Sequence, residues 1–247
     1  MYEKANSIIK KAIMENRETL NQEETKIFAS DFGIPCPPSY IAKSENDAIR
    51  LAEKLGYPII LKVLSHKIMH KSDIGGVEKN LQNAQEVIRG YNKVINSVQK
   101  IDPKAQILVE KMMPSGIETI IGLIMEPGFG PVVMVGLGGI LTELFEDIIF
   151  RLAPINLEDA QKAINCLRGN KLFYGYRGES PIDLSSFNEL LVKVSKVPQW
   201  FSGINQIDLN PVILYETGLS AVDIKVVLKN KKKINLSIES YNWLFFL

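Results

Sequence analysis

The chain has 247 residues, of which 46% are hydrophobic and 23% charged, with a formal net charge of +1. That is apolar material for one large domain or two lobes, and no global field that would select nucleic acid. The two cysteines, Cys36 and Cys166, make neither a disulfide framework nor a metal spacing, residues 1–20 lack the apolar core of a secretory leader, and every long apolar run is broken by Pro or Gly, so a cytoplasmic protein without membrane or nucleic-acid partners is expected.

Ala5, Ile8, Ile9, Ala12 and Ile13 recur at helical spacing, which predicts a helix over 3–16. Asn21-Gln-Glu-Glu24 has the form of a capping box and opens a second helix that Gly33 ends. Ile34 to Pro38 is extended and leads to a short strand near Tyr40. Ser44 caps the next helix, which stops at Gly56.

Ile59 to Val63 follows Pro58 as a strand. Lys62 lies inside it, either solubilising a sheet edge or aimed as a cation into a cleft. Residues 65–73 show no period and read as a loop. Gly75-Gly76 then precedes a second strand, Val77 to Leu81. A glycine pair here either turns a hairpin or lets backbone N–H groups approach an anion. His66 and His70, both histidines of the chain, fall in the loop. They have no helical context and no intervening Glu, unlike a zinc-protease motif. They are either exposed loop residues or, among Lys67, Lys71 and the glycines, include a nucleophile that takes up a phosphoryl group.

His70-Lys71-Ser72-Asp73-x-Gly75-Gly76-Val77 resembles the phosphohistidine segment of the β subunit of ADP-forming acyl-CoA (acetate–CoA) ligases. These are ATP-grasp proteins of the succinyl-CoA synthetase-like group, and the resemblance runs from about Thr19 to Val227. It implies an α/β (α+β) ATP-grasp fold of two lobes with ATP or ADP bound between them. Residues 1–18 would be an N-terminal helix, 19–107 the first lobe with the phosphohistidine loop, 108–230 the second lobe, and 231–247 a tail. It further implies that His70 carries phosphate, that Lys62 holds phosphate oxygens, and that Gly75, Gly76 and Val77 line the phosphate path. A partner α subunit with the CoA- and acyl-binding domains, in an α2β2 assembly, would complete the reaction acetyl-CoA + ADP + Pi = acetate + ATP + CoA.

A helix is predicted over about 84–100 and a strand over 105–110, ending in Val109-Glu110-Lys111-Met112. The resemblance implies that Glu110, Lys111 and Met112 meet adenine and ribose; the methionines otherwise fill core gaps. The β-branched run 116–125 is a strand whose apolar face Glu118 interrupts. Buried without a partner, such a carboxylate is costly. The resemblance places it near the phosphate path, and the alternative is a surface carboxylate on an edge strand.

Residues 127–130 turn the chain into a buried strand, 131–135. Gly136-Leu-Gly-Gly139 follows, then Glu143, Asp147 and Arg151, a pattern that fits the family but is not the dinucleotide fingerprint. Arg151 either forks onto a phosphate or pairs with Glu143 or Asp147. Helices are predicted over about 156–168 and 184–197 as scaffold. Ile204 to Leu209, 212–215 and 219–227 are strands. Asp208, Asn210 and Asp223 offer hard oxygens suited to Mg2+, and the resemblance assigns Asn210 and Asp223 to the metal. Lys229 and Lys231 to Lys233 suit a solvated tail, and Tyr241 to Leu247 is aromatic and apolar. Two other readings stand beside this one: an ATP-grasp ligase that makes an acyl phosphate without a histidine carrier, and a nucleotide-binding subunit without turnover.

Overall fold

The computed structural model describes residues 1–65, 68, 74–139 and 146–229. His66, Lys67, His70 to Asp73, Glu143 and the expected tail lie outside the described residues. The chain divides into two units, one made of Met1–Cys36 with Ser115–Leu247, the other of Pro37–Pro114.

The second unit, Pro37–Pro114, is a sheet with helices on one face. Strands β1 (Ser39–Ala42), β2 (Ile59–Leu64), β3 (Val77–Leu81) and β4 (Gln106–Lys111) form an antiparallel sheet in the order β1-β4-β2-β3. Ser44 and Asn83 cap the two helices of this unit, Glu45–Leu55 and Ala84–Val98, each accepting a backbone N–H from the first turn; such caps contribute about 1 kcal/mol each. Ala48, Leu51 and Ala52 of the first helix and Val87, Gly90, Val94 and Val98 of the second recur at helical spacing. They pack on Ile59, Leu61, Val63, Ile107 and Val109, alternate residues of the two central strands. The opposite face of the sheet therefore carries Ile60, Lys62, Leu108 and Glu110.

The other unit holds a six-stranded sheet. Its strands are β5 (Ile117–Glu126), β6 (Gly130–Leu137), β7 (Ile148–Leu152), β8 (Ile204–Leu214), β9 (Leu219–Ala221) and β10 (Ile224–Leu228). The order is β10-β8-β5-β6-β7, with β9 paired to the far half of β8. Helices Glu3–Met14, Gln22–Phe32, Leu157–Asn165 and Leu184–Ser195 share one core with Ile121, Leu123, Val133, Val135, Ile207 and Leu209.

Here the structure departs from the expected boundaries at 18/19 and 107/108. Residues 19–36 pack with the later part of the chain. Leu20 N–H donates to Val226 O and Leu228 N–H to Glu18 O, so the segment extends the sheet beside β10. Phe28 and Phe32 stack against each other, and each meets Phe201 edge-on, contacts of about 0.5–1.5 kcal/mol each beyond burial. Residues 108–114 belong with Pro37–Pro114, because β4 is a central strand there. Among the described residues no helix is long and apolar enough to cross a membrane.

Candidate functional site

Lys62 and Glu110 in one unit, and Asp208 in the other, lie on the sheet face that the described helices of that unit leave uncovered. In the unit Pro37–Pro114, Lys62 on β2 and Glu110 on β4 are diagonal neighbours, since Lys62 pairs with Leu108 and Ile60 with Glu110. Lys62 Nζ donates to Glu110 Oε1 at 2.6 Å, with Glu110 fully buried and the lysine side chain 12% exposed. Strand β2 runs between β4 and β3, so Lys62 does not solubilise an edge. Sequence spacing gave no sign of this pairing, because the partners are 48 residues apart.

Lys111 and Met112 are partly committed to structure. Lys111 Nζ donates to the carbonyls of Gly56 and Tyr57 at 2.9 and 2.8 Å. The backbone N–H of Lys111 donates to Pro38 O, and that of Met112 to Pro58 O. Neither amide is left to donate elsewhere. Gly75 has a φ of +69°, and its carbonyl accepts from Ser97 Oγ at 3.0 Å. The Gly76 carbonyl accepts from Val63 N–H at 2.8 Å, and Val77 pairs with Lys62. Gly75, Gly76 and Val77 are thereby set directly beside Lys62.

In the six-stranded sheet, one row of cross-strand partners reads Phe150, Met134, Gly122, Asp208, Lys225. Partners in register share a face, so Asp208 lies opposite the helix-covered core. Beside it, Asn210 and Pro211 fall at a bulge where β8 gains a residue over β5, between the pairs Ile121–Leu209 and Thr119–Val212. A bulge re-aims side chains and is common next to functional sites. Asp223 sits in the break between β9 and β10, and its carbonyl accepts from Asn210 N–H at 3.1 Å. The structure thus brings Asp208, Asn210 and Asp223 together.

Burial pushes the Asp208 carboxyl up to about 6, with Asp223 adding repulsion and Lys225 opposing it. Two carboxylates that repel each other beside a carboxamide suit a hard divalent cation. Among the described residues no cluster of three or more His, Cys, Asp or Glu could hold a metal alone. Mg2+ does not require one, as it takes one or two carboxylates and completes its shell with waters and substrate phosphates. The residues present fit that ion. Lys225 was not anticipated, although its position two residues after Asp223 was a usable signal.

Glu118 and Arg151 take up different surroundings. Glu118 is exposed, so no burial penalty applies, and β5 is an interior strand rather than an edge. Its carbonyl accepts from Gly138 N–H at 2.7 Å. A Cβ on Gly138 would come within 2.8 Å of the Glu118 backbone, and one on Gly139 within 3.1 Å of Glu118 Oε2. The second glycine segment therefore closes on Glu118. Arg151 pairs with core residue Val133, which puts it on the helix-covered face, away from Asp208. Its guanidinium donates to Phe150 O at 2.9 Å and approaches Cys166 Sγ at 3.7 Å. Asp147 instead accepts from the backbone N–H groups of Arg168 and Gly169.

A family model described as an ATP-grasp domain matches residues 11–228. The chain is 37% identical over 228 residues to the acetate–CoA ligase [ADP-forming] I subunit beta of Pyrococcus furiosus, covering 91% of this chain and 98% of that subunit. It is an ATP-grasp protein of the ADP-forming acetate–CoA ligase β-subunit family. This β-subunit-like chain is also 38% identical to the 4-hydroxybutyrate–CoA ligase [ADP-forming] of Nitrosopumilus maritimus, 91% of it aligning with 33% of that longer protein. Among solved structures it resembles the acetyl-coenzyme A synthetase 1 of Ca. Korarchaeum cryptofilum in complex with coenzyme A and Mg-AMPPCP, whose phosphohistidine segment points towards the nucleotide site. The TM-score is 0.81 at 36% identity, over 91% of this chain and all of that one. An ATP-grasp β subunit binds nucleotide and works with a partner subunit, and Lys62, Glu110 and Asp208 lie on the helix-free faces.

Proposed function

We propose that this chain is the nucleotide-binding β subunit of an ADP-forming acyl-CoA synthetase, with acetate as the acid. Its half-reaction moves a phosphoryl group between ATP and His70. An imidazole nitrogen of His70 attacks the γ-phosphorus; the new N–P bond forms as the bond to the β,γ-bridging oxygen breaks, and ADP leaves with that oxygen. In the direction of ATP synthesis, an ADP oxygen takes the group back from phosphohistidine. The partner α subunit, in an α2β2 assembly, exchanges phosphate with His70 and carries the CoA and acyl chemistry. A histidine serving both places has to visit both.

The observation that carries this reading is the segment His70-Lys71-Ser72-Asp73-x-Gly75-Gly76-Val77 joining β2 to β3 in a protein of this family. Lys62 would meet phosphate oxygens beside Gly75 and Gly76, with Glu110 fixing its ammonium. Lys111 and Met112 would contact adenine and ribose through side-chain carbons and carbonyls, since their amides are spent, and the fully buried Glu110 would act through Lys62. Asp208, Asn210 and Asp223 would hold Mg2+, which when bound spreads the charge that develops on the phosphates. Glu118 would orient His70 from under the second glycine segment. Arg151 is assigned to scaffold.

Labelling tests it. With radioactive γ-phosphate ATP, Mg2+ and the α subunit, wild type takes up acid-labile label, whereas His70→Ala falls to background and His66→Ala keeps it. Label persisting on His70→Ala overturns the carrier role. ATP synthesis from acetyl-CoA and from 4-hydroxybutyryl-CoA distinguishes the acids, and a preference for the second overturns acetate.

A further inference from the structure

We propose that Thr119 is a positioning residue for Asn210 and Asp223; the inference rests on the Mg2+ role proposed for those two. Thr119 lies on β5 in line with Ile121 and Leu123, and it pairs with core residues Leu137 on β6 and Val212 on β8. Its side chain therefore faces the helix-covered core, where it is fully buried. A valine would fill such a place with no polar group to satisfy. A buried hydroxyl is costly unless it is hydrogen-bonded, and Thr119 Oγ1 donates to Val212 O at 2.9 Å.

Val212 is where β8 rejoins β5 after the bulge. Between Leu209 and Val212 stand Asn210 and Pro211, opposite Ile120 alone on β5. The ladder is interrupted there, and Pro211 has no N–H to offer either neighbour. Other bonds fix the bulge instead. On one side Asn210 N–H donates to Asp223 O at 3.1 Å and Val222 N–H to Pro211 O at 2.9 Å, which ties the bulge to the break between β9 and β10. On the other side the Thr119 hydroxyl ties its downstream end to β5. β5 runs between β8 and β6, so Thr119 holds from an interior strand. Asn210 and Asp223 are thereby set together against the sheet. Mg2+ asks for near-octahedral geometry, and a ligand set serves it when held to within about 0.5 Å. Thr119 acts through the β8 backbone, from the face opposite Asp208.

The test uses the full chain with its α subunit and compares wild type, Thr119→Val, Thr119→Ser and Asn210→Ala. Binding of Mn2+, a probe that suits the same oxygen ligands as Mg2+, is read from the spin resonance of the free ion in the presence of ADP, without turnover. Thr119→Val keeps the volume and loses the hydroxyl, so Mn2+ affinity falls about 3- to 10-fold, the range one hydrogen bond supports. Hydrogen exchange at the Asn210 amide, read without metal or nucleotide, rises over the same range of about 3- to 10-fold. Thr119→Ser does the reverse: it loses a buried methyl and unfolds at lower urea, yet keeps the bond and the wild-type Mn2+ affinity. Wild-type affinity or wild-type exchange in Thr119→Val, or an equal loss of affinity in Thr119→Ser, overturns the proposal. Asn210→Ala is expected to lose Mn2+ affinity, and wild-type affinity in that variant overturns the metal reading itself. The exchange at Asn210 is read without metal, so it judges the hold of Thr119 separately from that reading.

Discussion

A lysine and a glutamate 2.6 Å apart, one almost and one fully buried, can be there for stability or for a ligand. The two uses separate by substitution. Removing one partner of a buried pair leaves the other uncompensated, at about 3–5 kcal/mol. Glu110→Ala is therefore expected to lower unfolding free energy by about 3 kcal/mol in urea. Replacing both, as Lys62→Met/Glu110→Leu, returns most of that, because an apolar pair needs no compensation. Nucleotide affinity behaves differently if Lys62 meets phosphate: it is lost in Lys62→Met and stays lost in the double variant. A double variant with wild-type nucleotide affinity removes Lys62 from the site. The sequence made Lys62 visible as a lysine among aliphatic residues, but its two readings part only on strand order. Period-two alternation says which residues share a face within one strand, and it is silent about neighbours. For the same reason Arg151 stayed open until the register placed it beside Val133.

At the level of elements, local chemistry was the legible part. Asn21 and Glu24 form both halves of a capping box, as their spacing predicted, and Asn156 with Asp159 forms another. Strands depend on distant partners and were less legible. Pro211 looks like a break, yet β8 continues through it, because a bulge needs no N–H from that residue. The short run Ile148–Leu152 becomes a strand only by pairing with β6. Arg17 adds a contact that carries a pH dependence. Its guanidinium forks onto Glu24 with two bonds of 2.7 Å, joining the turn before the helix Gln22–Phe32 to its first turn. The hydrogen bonds from Arg17 hold the Glu24 carboxyl below its ordinary 4.5, against the opposing effect of burial. A carboxylate depressed in the folded state contributes stability above its unfolded value and loses it as pH falls further. Glu24→Gln should therefore cost about 1–2 kcal/mol at pH 7. The gap to wild type should close as pH drops below about 4.5, measured by urea unfolding along a pH series. A gap that stays constant down to pH 3 would show that the pair contributes nothing through its charge.

At the scale of the whole chain, most buried apolar residues among the described ones fall into two clusters, one for each unit, and the backbone passes between the units at Cys36–Pro37 and Pro114–Ser115. The sequence suggested two lobes but misplaced 19–36, since nothing local shows that Phe28 and Phe32 pack against Phe201, far along the chain. Separate cores should open separately, as cooperative regions with their own free energies. Leu61 is fully buried in one cluster and Phe201 is 1% exposed in the other. Leu61→Ala should cost about 2–5 kcal/mol, and Phe201→Ala about 3–5, from lost burial and the cavity left behind. Native-state hydrogen exchange should then show Leu61→Ala speeding exchange within 37–114 while β5, β6 and β8 keep their protection. Phe201→Ala should do the reverse, and it should also loosen 19–36, which the expected boundaries would have left untouched. Equal acceleration everywhere in both variants would mean that the chain opens as one cooperative body despite its two cores.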